Sequence, residues 1–179
     1  LKKGVRIDHS PATPEKVMAF EDAYIKFVDK KGMNKFWKFS QGFFLNFFKT
    51  LGSNRVSVIN AIWQDNIIAS FFVIFGYDSV YYFFSVSNQQ FNHLNGNSLI
   101  MWNLIMNSKI RGYKLLYLGG GKTSDSNDDL FKFKNSFGAQ ELQCFVIKKV
   151  LDHEKFNQAC LASKSKQVSA SLFPPYANL

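Results

Sequence analysis

The spacing of apolar residues predicts that two helices open the chain. Thr13 followed by Pro14 is a typical helix start, because the hydroxyl caps the first turn and proline at the first helical position loses no hydrogen bond. Apolar residues then recur every three or four positions until Gly32, which ends the helix. A second amphipathic helix is predicted from Ser40 to Gly52. Its apolar face consists of Phe43, Phe44, Phe47 and Phe48.

The apolar pattern then changes to the uninterrupted runs that are typical of buried strands. Three strands are predicted, from Arg55 to Trp63, from Ile67 to Phe75 and from Val80 to Val86. Tight turns at Asp65-Asn66 and at 76–78 would connect them as an antiparallel meander. Because the last two strands are apolar at almost every position, we expect helices on both faces of this sheet.

A helix, a short strand and a further helix follow the meander. The helical spacing from Asn97 to Arg111 leaves only a narrow polar stripe, so we expect this helix to be mostly buried. A short strand is predicted from Leu115 to Leu118. The next helix would be capped by Ser124 or Ser126 and would end at Gly138.

The end of the chain is predicted to contain a last strand, a short helix and a tail. The strand runs from Glu141 to Leu151, and the helix is capped by Asp152 and reaches Ala162. We therefore expect one α+β domain over residues 1–162, an α/β sandwich, followed by a polar C-terminal tail at 163–179.

Length, composition and charge restrict the class of protein. The 179 residues suffice for one ordinary domain, and 20 phenylalanines exclude a disordered chain. The net charge of +9 favours anionic partners, yet no lysine or arginine occurs between Arg55 and Lys109. The strands therefore lack the cations that accompany aromatic residues in RNA-reading sheets. A basic module that binds tRNA through its charged ends stays open as an alternative.

Cysteine usage and the apolar runs bear on the compartment. Cys144 and Cys160, with three histidines, can form neither a disulfide framework nor a zinc site, so we expect no metal and a reduced, cytoplasmic setting. The longest apolar run, Ile67 to Phe75, is far shorter than the ~20 residues of a spanning helix, so we expect no transmembrane segment. Because the chain begins at Leu1 without an initiator methionine, we expect it to be a piece of a longer protein.

Lys134 is the residue that departs most from its surroundings. It falls inside the apolar arc of the helix that follows the glycine stretch, whereas Lys132 points away from that arc. A lysine there is costly unless its ammonium reaches solvent near the helix C-terminus or meets an anion. The pattern thus favours either a lysine that extends to solvent or a clamp for phosphate or carboxylate. The apolar arc consists of Leu130, Phe131, Phe133 and Phe137.

Gly119, Gly120 and Gly121 form a glycine stretch after the short strand. Gly121-Lys122-Thr123 does not complete a phosphate-binding loop, because that motif requires glycine where Leu116 stands. Ser124 likewise stands where a dinucleotide-binding fingerprint needs its third glycine. The stretch is then either a turn that needs a positive φ or a bare backbone that a substrate can approach.

The loop between the third strand and the buried helix carries candidate groups. His93 has an imidazole suited to general-base catalysis, although a histidine in a polar loop is more often merely exposed. Asn95, Gly96 and Asn97 contribute amides to a helix N-terminus, which is a natural site for an anion.

Three further polar residues lie near this predicted cleft. Ser85 and Ser87 end the third strand, where they either face the cleft or merely terminate strand pairing. Asp125, like Asp128 after it, either caps the following helix or takes part in acid–base chemistry.

A motif appears between Leu118 and Gly138. Leu118-Gly-Gly-Gly, a polar loop and then Leu130-Phe-Lys-Phe-Lys-Asn-Ser-Phe-Gly138 resemble the "GG … F-K-x-x-F-G" signature of Fem-like proteins in the GNAT acyltransferase superfamily. Other features follow the order of that family, and the resemblance covers about Ala12 to Leu151. These features are the Asp65-Asn66 hairpin, the Tyr81-Tyr82 strand, Leu99, Trp102 and Gly112.

The resemblance implies a GNAT fold, in which a mixed, mostly antiparallel central sheet has helices on both faces. It implies that the sheet splays between the strand ending near Ser87 and the strand ending near Leu118. In that superfamily an acyl donor, acetyl-CoA or an aminoacyl-tRNA, lies in the splay and an amine attacks it directly. For Fem-like proteins the acceptor is a cell-envelope or polysaccharide precursor, either a small molecule or lipid-linked.

The resemblance assigns a role to Lys134, and the groups described above supply the other candidate site residues. Lys134, the lysine of the motif, would contact phosphate or developing charge, and His93 is the second catalytic candidate. The donor would be bound by Asn95, Gly96, Asn97, Gly119, Gly120 and Gly121. The substrate would be bound by Ser85, Ser87 and Asp125.

Two departures from the superfamily pattern weaken CoA as the donor. Residues 90–95 have neither glycine of the Q/R-x-x-G-x-G/A signature, and the 130–137 helix lacks the tyrosine that often protonates the leaving thiol. Fem-like proteins usually contain two such units, so we expect a second GNAT-like domain. The alternative is a non-catalytic unit that serves as the structural or interaction half of a two-unit protein.

Overall fold

The computed structural model describes residues 4–33, 35–121, 123, 125, 127–143, 145, 147 and 149–162. The chain divides into two compact units, Leu1–Ala139 and Gln140–Leu179. In the first unit the elements are β1 (Arg6–Asp8), α1 (Pro14–Lys30), α2 (Phe43–Leu51), β2 (Val56–Trp63), β3 (Asn66–Phe75), β4 (Ser79–Ser87), α3 (Gly96–Ile110), β5 (Leu115–Tyr117) and α4 (Asp129–Asn135). The described part of the second unit contains α5 (His153–Ala162).

Local capping signals determine where α1 begins and ends. The Thr13 side chain accepts a hydrogen bond from the Lys16 amide at 3.3 Å, and Pro14 is the first helical residue. After the helix ends at Lys30, Gly32 adopts a φ of +57°, which favours glycine. Both boundaries agree with the predicted helix.

The helix α2 begins three residues later than predicted, at Phe43 rather than at Ser40. Gly42 has a φ of +90°, which interrupts helical backbone before Phe43. The buried carboxylate of Glu21, on α1, accepts hydrogen bonds from the amides of Gly42 and Leu45. This cap comes from a different helix, so local sequence cannot reveal it.

The strands form one five-stranded sheet in the order β1-β2-β3-β4-β5. The first three pairings are antiparallel and the β4–β5 pairing is parallel, so the sheet is mixed and mostly antiparallel as predicted. The β2–β3 turn is centred on Gln64 and Asp65, which have φ of 46° and 62°, one residue before the predicted Asp65-Asn66. The three-residue β1 was not predicted, because its length gives no recognisable period.

A β-bulge interrupts the register between β3 and β4. Phe72 pairs with Phe84 and Val73 pairs with Tyr82, so Phe83 is an extra residue in β4. As a result, Tyr82 packs on one face of the sheet and Phe84 packs on the other, although two positions separate them.

Each face of the sheet is covered by helices, as the apolar strands predicted. On one face, α1 and α2 pack on Val56, Val58, Phe72 and Phe84. On the other, α3 packs on Ile59, Phe71 and Val73, and Phe133 and Phe137 of α4 join this second cluster. Within the described ranges, every helix is too short or too polar to span a bilayer.

The second unit differs from the prediction. No strand occurs among the described residues of 141–151, whose apolar side chains Leu142, Phe145, Ile147 and Leu151 are exposed. Alternating apolar residues form a strand only where a neighbouring edge pairs with them, and local sequence does not specify that edge. Cys144 lies outside the described residues, as does the predicted tail at 163–179. The predicted helix is present, and Asp152 accepts a hydrogen bond from the Lys155 amide at 2.9 Å.

Candidate functional site

The strands β4 and β5 separate after three paired residues. Ser79–Tyr81 pair with Leu115–Tyr117, and β5 then ends while β4 continues to Ser87. The second half of β4 therefore has no pairing strand on that side among the described residues. This is the splay that the sequence resemblance implies.

A cleft of about 450 Å³ lies where the two strands separate. Its walls come from the end of β4, the start of β3, the loop before α3, the first turn of α3, and α4. Of the predicted site residues, it brings together Ser85, Ser87, Asn95, Gly96 and Asn97. The sequence analysis did not single out Tyr82, Phe91, Asn92, Ser98 and Asp129, which also line the cleft.

Tyr82 and Ser85 share a hydrogen bond in the cleft, with their hydroxyl oxygens 2.6 Å apart. Residues three apart on a regular strand face opposite sides, and the extra residue Phe83 brings these two to the same side. Burial raises the pKa of the Tyr82 hydroxyl, and the hydrogen bond with Ser85 partly offsets that rise. Tyr82 therefore keeps its proton at neutral pH.

Lys134 is buried, with 7% of its surface exposed, as its place in the apolar arc predicted. Its ammonium donates a hydrogen bond to the Gly120 carbonyl at 2.5 Å and lies 5.2 Å from the centroid of the Tyr82 ring. Burial lowers the pKa of Lys134, and the charge of Asp128 partly offsets that effect. Lys134 contacts a cleft residue but is not among the described residues that line the cleft.

Asp128 organises the start of α4 and the end of the glycine stretch. Its carboxylate accepts hydrogen bonds from the amides of Leu130 at 2.9 Å, Phe131 at 3.0 Å and Thr123 at 3.3 Å. Asp128, one of the predicted caps, is therefore the N-cap of α4, whereas the alternative caps Ser124 and Ser126 lie outside the described residues. A Cβ at Gly121 would lie 2.7 Å from the Asp128 Oδ1 atom, so this glycine is needed for close approach.

The first turn of α3 faces the cleft. Asn95 has a φ of 55°, and a Cβ at Gly96 would lie 3.1 Å from side-chain atoms of Ala69 and Ile68, so glycine lets α3 pack tightly on β3. The Asn97 Oδ1 atom is buried and has no hydrogen-bond partner among the described residues. The helix N-terminus is suited to an anionic group, whereas the Asn97 carbonyl oxygen requires a hydrogen-bond donor.

The loop before α3 is more ordered than predicted. Residues 89–94 form a 3₁₀ turn, in which the Phe91 amide donates to the Asn88 carbonyl and the Asn95 amide donates to the Asn92 carbonyl, each at 3.0 Å. The Gln90 amide donates to the Asn88 side chain at 3.2 Å. These three amides are used within the loop, so they do not face a ligand.

The remaining predicted site residues lie outside the described lining of the cleft. His93 is exposed on the 3₁₀ turn. Asp125 is exposed, and its carboxylate accepts a hydrogen bond from the Asn127 amide at 2.8 Å. Gly119, at a φ of +67°, and Gly120 form the segment that Lys134 contacts. The described residues contain no group of three or more His, Cys, Asp or Glu side chains that could hold a metal ion.

A second cavity, of about 370 Å³, lies between α1 and the other face of the sheet. Lys16, Lys26 and Lys30 of α1 contribute to one wall, and Asn60 and Ser70 contribute to the other. Ile68, Ala69 and Ser87 line both cavities, so the two approach each other at the end of β4.

Comparison with known proteins gives one family and several similar folds. The model of the FemAB family matches residues 54–144, which span β2 to the start of the second unit. No curated protein matches the chain significantly. The matched range covers half of the chain and includes β2 to α4 of the first unit.

Solved structures share the fold at low sequence identity. An aminoglycoside acetyltransferase from an uncultured soil metagenomic sample, in complex with sisomicin, has a TM-score of 0.61 at 13% identity, over 84% of this chain and 99% of that one. A predicted acetyltransferase with acetyl-CoA from Clostridium acetobutylicum has a TM-score of 0.58 at 13% identity, over 82% and 97%. A GNAT family acetyltransferase of Staphylococcus aureus has a TM-score of 0.51 at 12% identity, over 82% and 99%. These similarities establish the fold.

Proposed function

Because the chain belongs to the FemAB family and has a GNAT fold, we propose that it is an acyltransferase, which transfers an acyl or an aminoacyl group. It would move the acyl group from acyl-CoA or an aminoacyl-tRNA to an amine of a cell-envelope or polysaccharide precursor. The observation that carries this proposal is the cleft at the separation of β4 and β5, which combines a helix N-terminus with a half-buried hydroxyl pair.

The first turn of α3 would hold the phosphate of the donor. The amides of the loop are used internally, so the first-turn amides of Gly96 and Asn97 are the groups that fit an anion. The two donors both carry phosphates and an activated acyl carbonyl. They are therefore compatible with the same groups, and binding measurements must distinguish them.

Transfer requires one bond to form and one to break. The amine nitrogen of the acceptor attacks the acyl carbon, the bond from that carbon to the thiol sulfur or ribose oxygen breaks, and one proton moves from nitrogen to the leaving group. The Tyr82 hydroxyl lies in the cleft and keeps its proton at neutral pH, so we assign it the hydrogen bond to the developing negative charge or the leaving group. Ser85 orients that hydroxyl.

Lys134 would act as a positioning residue. By binding the Gly120 carbonyl and lying over the Tyr82 ring, its ammonium connects the glycine stretch to the cleft wall. The predicted roles of Gly119, Gly120 and Gly121 in donor binding, of Asp125 in substrate binding and of His93 as a base stay proposals. Each would require these residues to approach the bound substrates.

The setting of the enzyme is also a proposal. We assign it to the cytoplasm, with residues 1–162 as a single GNAT-like domain and a second GNAT-like domain as a partner. A small-molecule or lipid-linked precursor would be the acceptor, and tRNA would be a partner if it is the donor.

Calorimetric titration of acetyl-CoA and of an aminoacyl-tRNA into the chain tests this function. We expect saturable binding of one donor, weakened about tenfold by Asn97→Asp, because a carboxylate repels an anion at the helix N-terminus. The matched control is Asn66→Asp in the β2–β3 turn, which should bind like the wild type. Acyl transfer to an amine is then followed by mass spectrometry.

Two results would contradict the proposal. A folded chain that binds neither donor would favour the non-catalytic, structural alternative. Binding of any tRNA, with steep salt dependence and no effect of Asn97→Asp, would favour the basic tRNA-binding module.

A further inference from the structure

The segment from Lys30 to Lys38, which we name the basic aromatic turn, connects α1 to α2. It contains four lysines and no acidic residue, and Phe36 and Trp37 lie between the last two lysines. All four lysines are exposed. The sequence analysis assigned no role to this segment, and the cleft does not include it.

The basic aromatic turn presents its aromatic residues to solvent. Phe36 is 74% exposed and Trp37 is 38% exposed, and their rings meet edge to face with centroids 5.3 Å apart. Exposed apolar residues are common singly, but two adjacent aromatic rings among lysines are typical of surfaces that insert into a lipid interface.

Tertiary contacts hold Trp37 and Lys38 of this segment in place. The Tyr24 hydroxyl donates a hydrogen bond to the Trp37 carbonyl at 3.1 Å, and the Trp37 ring lies edge-on to Phe84 with centroids 6.4 Å apart. Lys38 forms an ion pair with Asp29 at 2.6 Å. That pair neutralises one lysine and leaves the charges of the other three lysines in the same segment as the two aromatic rings.

We propose that the basic aromatic turn docks on an anionic membrane surface, with Phe36 and Trp37 at the boundary between headgroups and acyl chains. Lys30, Lys31 and Lys35 supply the charge complementarity, since lysines near an anionic leaflet are each attracted to it. Aromatic insertion supplies the contact that salt does not screen.

The turn also adjoins the second cavity. Lys30 belongs to both, and Lys26 and Phe27 of the same helix line the cavity. Docking would therefore hold this cavity close to a lipid surface. The idea that this brings the enzyme close to a lipid-linked acceptor rests on the proposed function, whereas membrane docking does not.

Sedimentation with vesicles tests the proposal on the whole chain. We expect binding to vesicles enriched in phosphatidylglycerol, weak binding to phosphatidylcholine alone, and partial loss of binding at high salt. Lys31→Gln with Lys35→Gln should weaken binding roughly 25-fold, because each lysine contributes about fivefold. Phe36→Ser should reduce the binding that persists at high salt.

Matched variants control for general charge and apolarity. Lys109→Gln with Lys132→Gln removes two exposed lysines elsewhere, and Tyr77→Ser removes an exposed aromatic ring from the β3–β4 turn. Both should bind vesicles like the wild type. Tryptophan emission should shift to shorter wavelength on vesicles, and Trp37→Phe should remove that shift.

The outcomes separate docking from catalysis. No binding of the folded chain to anionic vesicles, or equal binding by the turn variants, would overturn the proposal. Loss of tRNA binding in these variants without any vesicle binding would also overturn it, in favour of a nucleic-acid surface. Phe36→Ser should leave transfer to a soluble acceptor unchanged, so a failure of docking can be distinguished from a failure of the proposed function.

Discussion

The ammonium of Lys134 lies 5.2 Å from the centroid of the Tyr82 ring, which joins a residue of α4 to a residue of β4. The same ammonium donates a hydrogen bond to the Gly120 carbonyl. One buried cation therefore connects three segments: β4 and α4, which line the cleft, and the glycine stretch. This relationship explains how a lysine is accommodated inside an apolar arc.

Replacement of Lys134 by methionine should lower the stability of the fold. Methionine keeps the apolar stem but removes the ammonium, so the Gly120 carbonyl loses its partner. We expect the free energy of unfolding to fall by about 1–3 kcal/mol in denaturant titrations. Lys132→Met, on the exposed side of the same helix, is the control and should be nearly neutral. Equal stability of the two variants would show that Lys134 does not hold this segment.

Replacement of Tyr82 by phenylalanine should separate chemistry from folding. It removes one hydroxyl, and we expect kcat to fall about 100-fold with little change in KM or stability, because the hydroxyl is assigned to the transition state. Tyr81→Phe, on the opposite face of β4, should retain activity. Ser85→Ala should cause a smaller loss. A Tyr82→Phe variant with full kcat would refute the assignment.

The pH profile provides a second measurement of Tyr82. Because burial raises the pKa of its hydroxyl, the alkaline loss of kcat should begin above the ordinary tyrosine value of 10.0. If kcat instead fell near or below that value, another group would control the profile.

Replacement of Gly121 by alanine should displace the cap of α4. The added Cβ would lie 2.7 Å from Asp128 Oδ1, and that carboxylate would have to leave the amides it caps. We expect a loss of about 1 kcal/mol in unfolding free energy, the usual contribution of an N-cap. Gly120→Ala is the matched control, since no heavy atom lies within 4 Å of its added Cβ. Comparable losses in both variants would argue against the cap as the cause.

Asp8 should make folding stability dependent on acid pH. Burial opposes its ionisation, but hydrogen bonds from Ser10 and the hydrogen bond and charge of Lys16 outweigh burial and lower the pKa of Asp8 from 3.8 to about 2. The ionised carboxylate therefore stabilises the fold above pH 3.8, and this stabilisation is lost as the pH falls through about 2.

Asp8→Asn measures that contribution. At neutral pH it should lower the unfolding free energy by about 1 kcal/mol, allowing for solvent screening, and the difference from wild type should vanish near pH 2. Asp22→Asn, on the exposed side of α1, is the control. A difference that does not change with pH would indicate a packing effect instead.

Local signals were sufficient for most elements of the first unit. The Thr13-Pro14 start, the apolar runs of β3 and β4, and the arc that buries Lys134 each depend on residues close in sequence, so periodicity and capping predicted them. The family was also predicted from its motif, and the family match at 54–144 confirms it over a shorter range than expected.

The missed features depend on residues distant in sequence. The cap of α2 is Glu21 of another helix, and the unpredicted β1 exists through pairing with β2. In the cleft, Tyr82 looked like one more apolar residue of a strand. The Tyr82 hydroxyl lies beside Ser85 only because Phe83 is an extra residue in the strand. A run of aromatic residues contains no sequence pattern that would predict such a bulge.

The bulge at Phe83 also makes β4 tolerant to a change in length. Phe83 and Phe84 are identical neighbours, so removal of either gives the same sequence. The side chains of β4 would then alternate regularly between the two faces of the sheet. Tyr82, the remaining phenylalanine and Ser85 would all keep their present faces. Removal of one residue from the regular stretch 56–60 of β2 would instead turn over every side chain beyond it. The strand that carries the cleft hydroxyls is thus one in which evolution can delete a residue without inverting the sheet.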